Sequence, residues 1–371
     1  MREPGDARRQ RILAAVESRG SVRVNDLAAE LGVSVVTARR DVEELARAGR
    51  LRRGHGVARP VTAAEEPAAP PPGPPGPSGG PVALVVPDRH AYLHEAMHGA
   101  RTALERAGVR VTLHIAPRSP GAERRIVRRA LADGARALLV APRWRTAAEE
   151  EADHGWLAAT GVPTVLVERR PGRGGPAYAL DSVCSDHWYG MHLAVEHLTS
   201  LGHRRIVLAA RNDSPTARVL RAAFAGIVAA RPEIEDSAVV LSSPDAGAGA
   251  DGREEVRAPA SFAALLRAHR ATAAVLHGDA DALMLVQQLA DSGLRVPQDC
   301  SVVAYDDVVA GLGSTPLTAV APPKAEVGRV AAELLLDRLA VPPVHGAGRP
   351  RRVELLPELK VRGSTQARMS V

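Results

Sequence analysis

The stretch from Pro60 to Pro81 holds nine prolines together with Gly73, Gly76, Gly79 and Gly80. Proline has no amide proton to give and locks its own φ, so neither a helix nor a strand ladder can run through such a segment. It reads as a semi-rigid extended linker reaching at most ~3 Å per residue. The sequence is periodic on both sides of it. A chain of 371 residues is thereby divided into a short folded unit, residues 1–59, a linker, 60–81, and a long folded unit, 82–365. Charge is divided at the same place. The first 60 residues carry 13 arginines against 8 acids, while basic and acidic residues almost balance over the rest. A basic excess concentrated on a small module is the footprint of a partner that is a polyanion.

The short unit reads as three helices and a hairpin. Ile12, Leu13 and Val16 recur at helical spacing over Arg8–Arg19, which Gly20 ends. Asn25 is expected to cap a short helix that buries Leu27, Ala28 and Leu31, and Gly32-Val33 makes the turn. Ser34 caps a third helix whose inward face is Val35, Ala38, Val42 and Leu45. Leu51–Val57 suits a small wing. A short helix, a tight turn and a third helix with polar groups at its start form the geometry that reads a major groove. Ser34, Val36, Thr37, Arg39 and Arg40 can occupy that tip, with Arg53 and His55 flanking from the wing. Arginine can bind guanine through two parallel hydrogen bonds, threonine can meet a thymine methyl, and a helix N-terminus attracts phosphate. Within the sequence alone, Arg40 could also be tied to Asp41 or Glu44.

The block Val33-Ser34, Thr37-Ala38-Arg39-Arg40-Asp41, followed by Leu45-Ala-Arg-Ala-Gly49 and Arg53-Gly-His-Gly56, resembles the winged helix–turn–helix of the DeoR family. The resemblance implies binding to double-stranded operator DNA. It departs only at the wing, where Gly56-Val57 stands for a glycine pair.

From Val82 onward short apolar runs alternate with amphipathic segments. Such alternation argues for α/β structure with parallel sheets, and two series of it argue for two lobes. The order Asp133-Gly134, Gly161-Val-Pro163 through Glu168-Arg169, Asp186-x3-Gly190-x3-Ala194-x2-His197-Leu198-x3-Gly202-His203, Ser301 through Tyr305-Asp306-Asp307, Pro316-Leu-Thr318 and Arg362-x-Ser364-Thr365 resembles the effector domain of LacI/GalR regulators. That resemblance implies a two-lobed, periplasmic-binding-protein-like domain with a ligand between the lobes at strand C-termini, also the usual place in open α/β sheets. The first lobe is expected over about 82–169 and 319–340, and the second over about 170–318 and 341–365.

Candidate ligand residues fall at the ends of expected strands. The chain has nine aromatic residues, and Tyr92, Trp144, Trp188, Tyr189 and Tyr305 lie just after such strands or at adjoining helix starts. A flat ring suits a sugar or a base, and carboxylates orient hydroxyls. By the resemblance Tyr92 stacks on the ligand, Arg169 follows the last strand of the first lobe, and Asp279 and Asp306 bind hydroxyls. The position of the family's cleft arginine holds Leu220 here, so Arg221 or Arg218 takes its place, and Gly278 stands before Asp279 where asparagine is usual.

Several classes drop out. Cys184 and Cys300 make no disulfide framework and no zinc spacing. His90, His94 and His98 share one helix face, but no further ligand completes a metal site. No nucleophile elbow, phosphate loop or catalytic carboxylate pair is present, so no enzyme, metal or cofactor is expected. No apolar run reaches a membrane span, and the basic first residues lack a signal peptide's apolar core, so a cytoplasmic location without membrane contact is expected. The expected function is a homodimeric regulator, a repressor modulated by a sugar or nucleoside effector. The other reading is a DNA-binding regulator whose α/β unit only dimerises. Either way the proline linker cannot form a hinge helix.

Overall fold

The computed structural model describes residues 5–47, 51–54, 57–60, 79–88, 91–242, 261–340 and 349–368. The body of the expected linker, the wing residue His55 and the histidine His90 lie outside the described residues. The chain falls into two compact units, Met1–Pro75 and Gly76–Val371.

The first unit comprises α1 (Gly5–Arg19), β1 (Val22–Arg23), α2 (Val24–Leu31), α3 (Val35–Arg47), β2 (Leu51–Gly54) and β3 (Val57–Pro60), with the strands in the antiparallel order β1-β3-β2. Ile12, Val16, Leu27, Ala38, Val42 and Leu51 form its core. Gly32 ends α2 in the left-handed region at φ 64°, where its N–H reaches back to Ala28 and Ala29, a conformation that favours glycine. Two sequence expectations shift. Asn25 is exposed inside α2, which starts one residue earlier, and Val35 is 38% exposed rather than inward. Val35 opens its helix, before the 3.6-residue repeat has turned a side chain onto the core.

The second unit holds two six-stranded sheets. The first lobe contains β4 (Val82–Pro87), α4 (Ala91–Arg106), β5 (Val111–Ala116), α5 (Ala122–Ala132), β6 (Ala137–Val140), α6 (Ala147–Ala158), β7 (Thr164–Val167) and β8 (Asp181–Ser185). The second contains α7 (His187–Ser200), β9 (Arg205–Ala210), α8 (Pro215–Ala229), β10 (Asp236–Leu241), α9 (Phe262–Ala268), β11 (Ala273–His277), α10 (Asp279–Asp291), β12 (Ser301–Tyr305) and β13 (Thr318–Ala321). The chain then returns through α11 (Lys324–Ala340) and β14 (Arg352–Leu355) to the first lobe, and ends with β15 (Glu358–Lys360) in the second. The strand orders are β14-β8-β7-β6-β4-β5 and β10-β9-β11-β12-β13-β15. Every pair in these two sheets is parallel except β13 with β15. Helices cover both faces, so central strands such as β4 and β6 are buried at every residue.

Three crossovers join the lobes, but the boundaries expected between them move. β8 belongs to the first lobe, not the second; Ala319–Ala321 belongs to the second lobe's sheet; and β14 returns to the first. The cause is an acid in a strand. Asp181 accepts from Nε and one terminal nitrogen of Arg338 on α11, at 2.6 and 2.8 Å, and from the Arg351 amide at 2.6 Å, which ties β8, α11 and the start of β14 into one lobe. The pairing of α11 with α4 depends on two glycines. A Cβ on Gly328 would stand 1.7 Å from the Ala96 carbonyl oxygen, and one on Gly99 would stand 2.1 Å from that of Ala325.

Candidate functional site

In the first unit the start of α3 is open. The Ser34 hydroxyl accepts from the Thr37 amide at 3.2 Å and caps the helix. Ser34, Arg39 and Arg40 are exposed and Thr37 is half-buried. Asp41 and Glu44, the acids that could have held Arg40, are taken by α1. Arg8 binds Asp41 through two hydrogen bonds of 2.6 and 3.2 Å, and Arg9 pairs with Glu44. Arg39 and Arg40 thus carry no ion pair among the described residues. Val36 lies on the same turn and Arg53 on β2, but their side chains, like all of His55, lie outside the described residues.

The second unit has a cleft of about 350 Å³ between its lobes, at the C-terminal ends of the parallel strands. Its centre is Glu168, which follows β7 in the left-handed region at φ 55°. The Glu168 carboxylate accepts from the hydroxyl of Tyr92 at the start of α4, from the Ser185 hydroxyl at 2.7 Å and from the Ser185 amide at 3.2 Å. It also lies 3.4 Å from Nε2 of His187, the first residue of the second lobe's α7. Burial alone would raise its pKa. The hydrogen bond and charge of His187, with the hydroxyls of Tyr92 and Ser185, outweigh that and hold it at about 2. Burial and the Glu168 charge in turn keep the Tyr92 hydroxyl protonated well beyond its usual range.

Opposite stand Asp279, Asp281, His277 and Asp306. Asp279 accepts three backbone amides on Oδ2, those of Val308, Val309 and Ala310, and so shapes the loop after β12. Asp281 holds Arg211 at 2.7 and 2.8 Å. Asp306 sits at φ 100°, a backbone state costly for a residue with a side chain and common at ligand clamps. No hydrogen bond or ion pair engages its carboxylate among the described residues, and burial together with Asp279 pushes its pKa up to about 7. His277 is 7% exposed and its buried Nδ1 has no hydrogen-bond partner among the described residues. Burial lowers it to about 4.

Of the ligand residues expected from the sequence, Tyr92, Arg169, Asp279 and Asp306 line this one cleft. Arg169 is nearly buried and donates to the carbonyls of Pro142 and Glu168, and its desolvation lowers its pKa to about 10. The others lie elsewhere. Trp144 is 2% exposed, donates to Asp153 at 3.0 Å and packs in the first lobe's core. Tyr305 is fully buried beneath the cleft, with its hydroxyl 3.2 Å from His187 Nδ1. Trp188 is exposed, stacks on His192 and lines a neighbouring cavity. Arg221 is absent from the cleft lining and buries one unpartnered guanidinium nitrogen. Arg218 instead straps the lobes together, donating to the carbonyls of Trp144 and Arg145 at 3.0 Å and to Glu150 at 2.8 Å. Sequence reasoning missed Glu168, His187, Arg211, His277 and Asp281. Glu168, His187 and His277 adjoin Arg169, Asp186 and Gly278, and Asp281 lies two residues past Asp279, whereas Arg211 has no such neighbour.

Comparison with known proteins matches residues 8–63 to the DeoR-like helix-turn-helix domain and residues 195–365 to the periplasmic binding protein-like domain. The ribose operon repressor of Escherichia coli (strain K12) is 29% identical over 206 residues, 55% of this chain and 58% of that protein. The HTH-type transcriptional repressor PurR of Haemophilus influenzae (strain PittEE) is 28% identical over 213 residues, 56% and 58% of the two chains. The chain thus spans somewhat over half the length of these relatives. Among solved structures, the lac repressor dimer bound to operator and an anti-inducer superposes with a TM-score of 0.62 at 22% identity, covering 79% of this chain and 96% of that one. A LacI-type regulator from Rhodococcus gives 0.61 at 25% identity, covering 77% and 98%. A LacI-family regulator from Enterococcus faecium with bound ribose gives 0.60 at 21%, covering 78% and 100%. The chain therefore joins a DeoR-like helix-turn-helix domain to a periplasmic-binding-protein-like domain, and its relatives are LacI-family repressors.

Proposed function

We propose that this protein is a cytoplasmic, homodimeric transcriptional repressor that binds operator DNA through α3 and releases it in response to a small polyhydroxylated effector. The observation that carries this reading is the cleft between the lobes, which holds an unpaired, largely buried carboxylate, Asp306, beside an aromatic residue, Tyr92. A carboxylate can accept two hydroxyls at once, and burial makes each such bond count. The open tip of α3, where Arg39 and Arg40 are exposed and carry no ion pair among the described residues, supports the DNA-binding half. The relatives' names, which are those of repressors, support repression. Linkage supplies the mechanism: an effector that prefers one arrangement of the lobes shifts the population of the dimer's DNA-competent state.

The test is calorimetry with sugars, nucleosides and sugar phosphates, followed by the effect of Asp306→Ala on the ligand found. Removing that partner strands a buried ligand hydroxyl, so affinity falls roughly ten- to hundredfold. Operator binding survives and loses its response to the ligand. A panel without a binder, or a binder indifferent to Asp306→Ala, returns the α/β unit to a dimerisation role alone.

A further inference from the structure

The two walls of the cleft are sorted by charge. On the first lobe Arg118, Arg143, Arg145 and Arg169 line it with one carboxylate, Glu168. On the second lobe Asp213, Asp279, Asp281 and Asp306 line it with one guanidinium, Arg211. Internal pairing leaves this asymmetry in place. Arg143 binds Asp88 at 2.7 Å, and Arg169 is spent on carbonyls. Arg118 comes no closer than 3.9 Å to Asp88, and Arg145 meets Glu149 at 3.4 Å; both are 54% exposed. A guanidinium has five donors in a planar fork, so these two keep donors for a third party. Across the cleft Asp281 holds Arg211 and one oxygen of Asp279 holds backbone amides, while among the described residues the Asp306 carboxylate and the buried Nδ1 of His277 have no hydrogen-bond partner. A neutral polyol would satisfy the second wall and leave the arginines of the first facing empty solvent.

We infer that the ligand is a polyhydroxylated molecule with one anionic group, a sugar phosphate or a sugar acid, its anion against Arg118 and Arg145 and its hydroxyls against Asp306 and His277. This rests on the function proposed above and narrows it. Guanidinium and oxyanion form short, charge-assisted, often paired hydrogen bonds. The opposite wall repels the same anion, so the ligand enters in one orientation and draws the lobes together along its own dipole.

The experiment is calorimetry on the full chain with matched pairs: D-ribose against D-ribose 5-phosphate, and D-glucose against D-glucose 6-phosphate and D-gluconate. The expected result is an anionic member binding at least about tenfold more tightly than its neutral parent. The phosphate and carboxylate arms tell which anion the fork accepts. In Arg118→Gln/Arg145→Gln the ratio of anionic to neutral affinity collapses toward one, and in the parent chain it falls with rising salt. Equal affinity for a neutral sugar and its anionic partners overturns the inference and leaves the proposed function standing, as does a preference that survives the double variant. If no member of this panel binds, the inference falls, and the proposed function falls with it only when the wider panel of sugars, nucleosides and sugar phosphates also yields no binder.

Discussion

Substituting Asp306 by asparagine should change how stability depends on pH, and the size follows from two cleft residues with opposite shifts. The Asp306 carboxyl keeps its proton in the fold up to about 7, against an ordinary 3.8. Between those values the folded chain holds one more proton than the unfolded chain, so stability falls as pH rises. The slope is ~1.4 kcal/mol per pH unit, roughly 4 kcal/mol in all. His277 does the reverse. Its folded imidazole takes a proton only near 4, against an ordinary 6.5. The unfolded chain holds the extra proton in that window, so stability falls as pH drops, by roughly 3 kcal/mol in total. Across pH 4 to 6.5 the two contributions nearly cancel. Asp306→Asn removes one and exposes the other. Urea unfolding of variant and parent side by side, followed by tryptophan fluorescence, isolates the effect, because all three tryptophans (Trp144, Trp156 and Trp188) lie in the α/β unit. The free-energy difference, variant minus parent, should climb by ~1.4 kcal/mol per pH unit from pH 4.5 to 6.5 and level off above 7.5. A difference that stays constant across pH refutes the claim that Asp306 is a desolvated, unpaired acid.

Two further outcomes test the frame around the site. Gly328→Ala forces a methyl to within 1.7 Å of the Ala96 carbonyl, backbone against backbone, and should cost about 2–3 kcal/mol even after the gain in helix propensity. Gly155→Ala, in α6 with open space where its Cβ would go, should instead stabilise by up to about 1 kcal/mol, so equal effects in urea unfolding would refute the packing argument. In DNA binding, Arg39→Ala and Arg40→Ala should each lower the slope of log affinity against log salt by about 0.9 if the side chain neutralises one phosphate, or relax sequence preference if it reads a base. Arg19→Ala, whose guanidinium is held at 2.7 Å by Glu30, should do neither, and three indistinguishable variants would remove α3 from the interface.

The parts of the fold that were legible in the sequence are those where one physical signal dominates. Fully buried parallel strands such as β4 and β7 are near-continuous apolar runs, and the third helix of the head carries its cap and its inward stripe in plain view. The missed strand β8 reads Asp-Ser-Val-Cys-Ser, a sequence more typical of a loop. It is buried because its polar groups are paid by partners far along the chain: Asp181 by Arg338, 157 residues on, and Ser185 by Glu168. β14 and β15 were missed for a related reason. They lie at sheet edges or pair over a short span, and their alternation of polar and half-buried residues carries little apolar signal.

For the site, the sequence could name residues near strand ends but not the faces they take. Strand parity decides this for β12. Val303 and Tyr305 point to one side, into the core formed by Met191, Leu208 and Phe224, while Val302 and Ala304 point to the other. Tyr305 therefore lies under the cleft, and the next residue, Asp306, turned by its positive φ while its amide still donates to the Val320 carbonyl at 3.1 Å, brings its carboxylate to the lining. Trp144 is turned by a positive φ of its own, 42°, and its indole meets Asp153 behind the wall. A tetrad such as Tyr92, Glu168, Ser185 and His187 has no spacing that reveals it, since its members come from four elements and both lobes. What ties it together is a requirement rather than a pattern. A carboxylate buried at the junction of the lobes must be matched by donors from both sides, so the group at the centre of the cleft is also the group that feels any change in the separation of its walls.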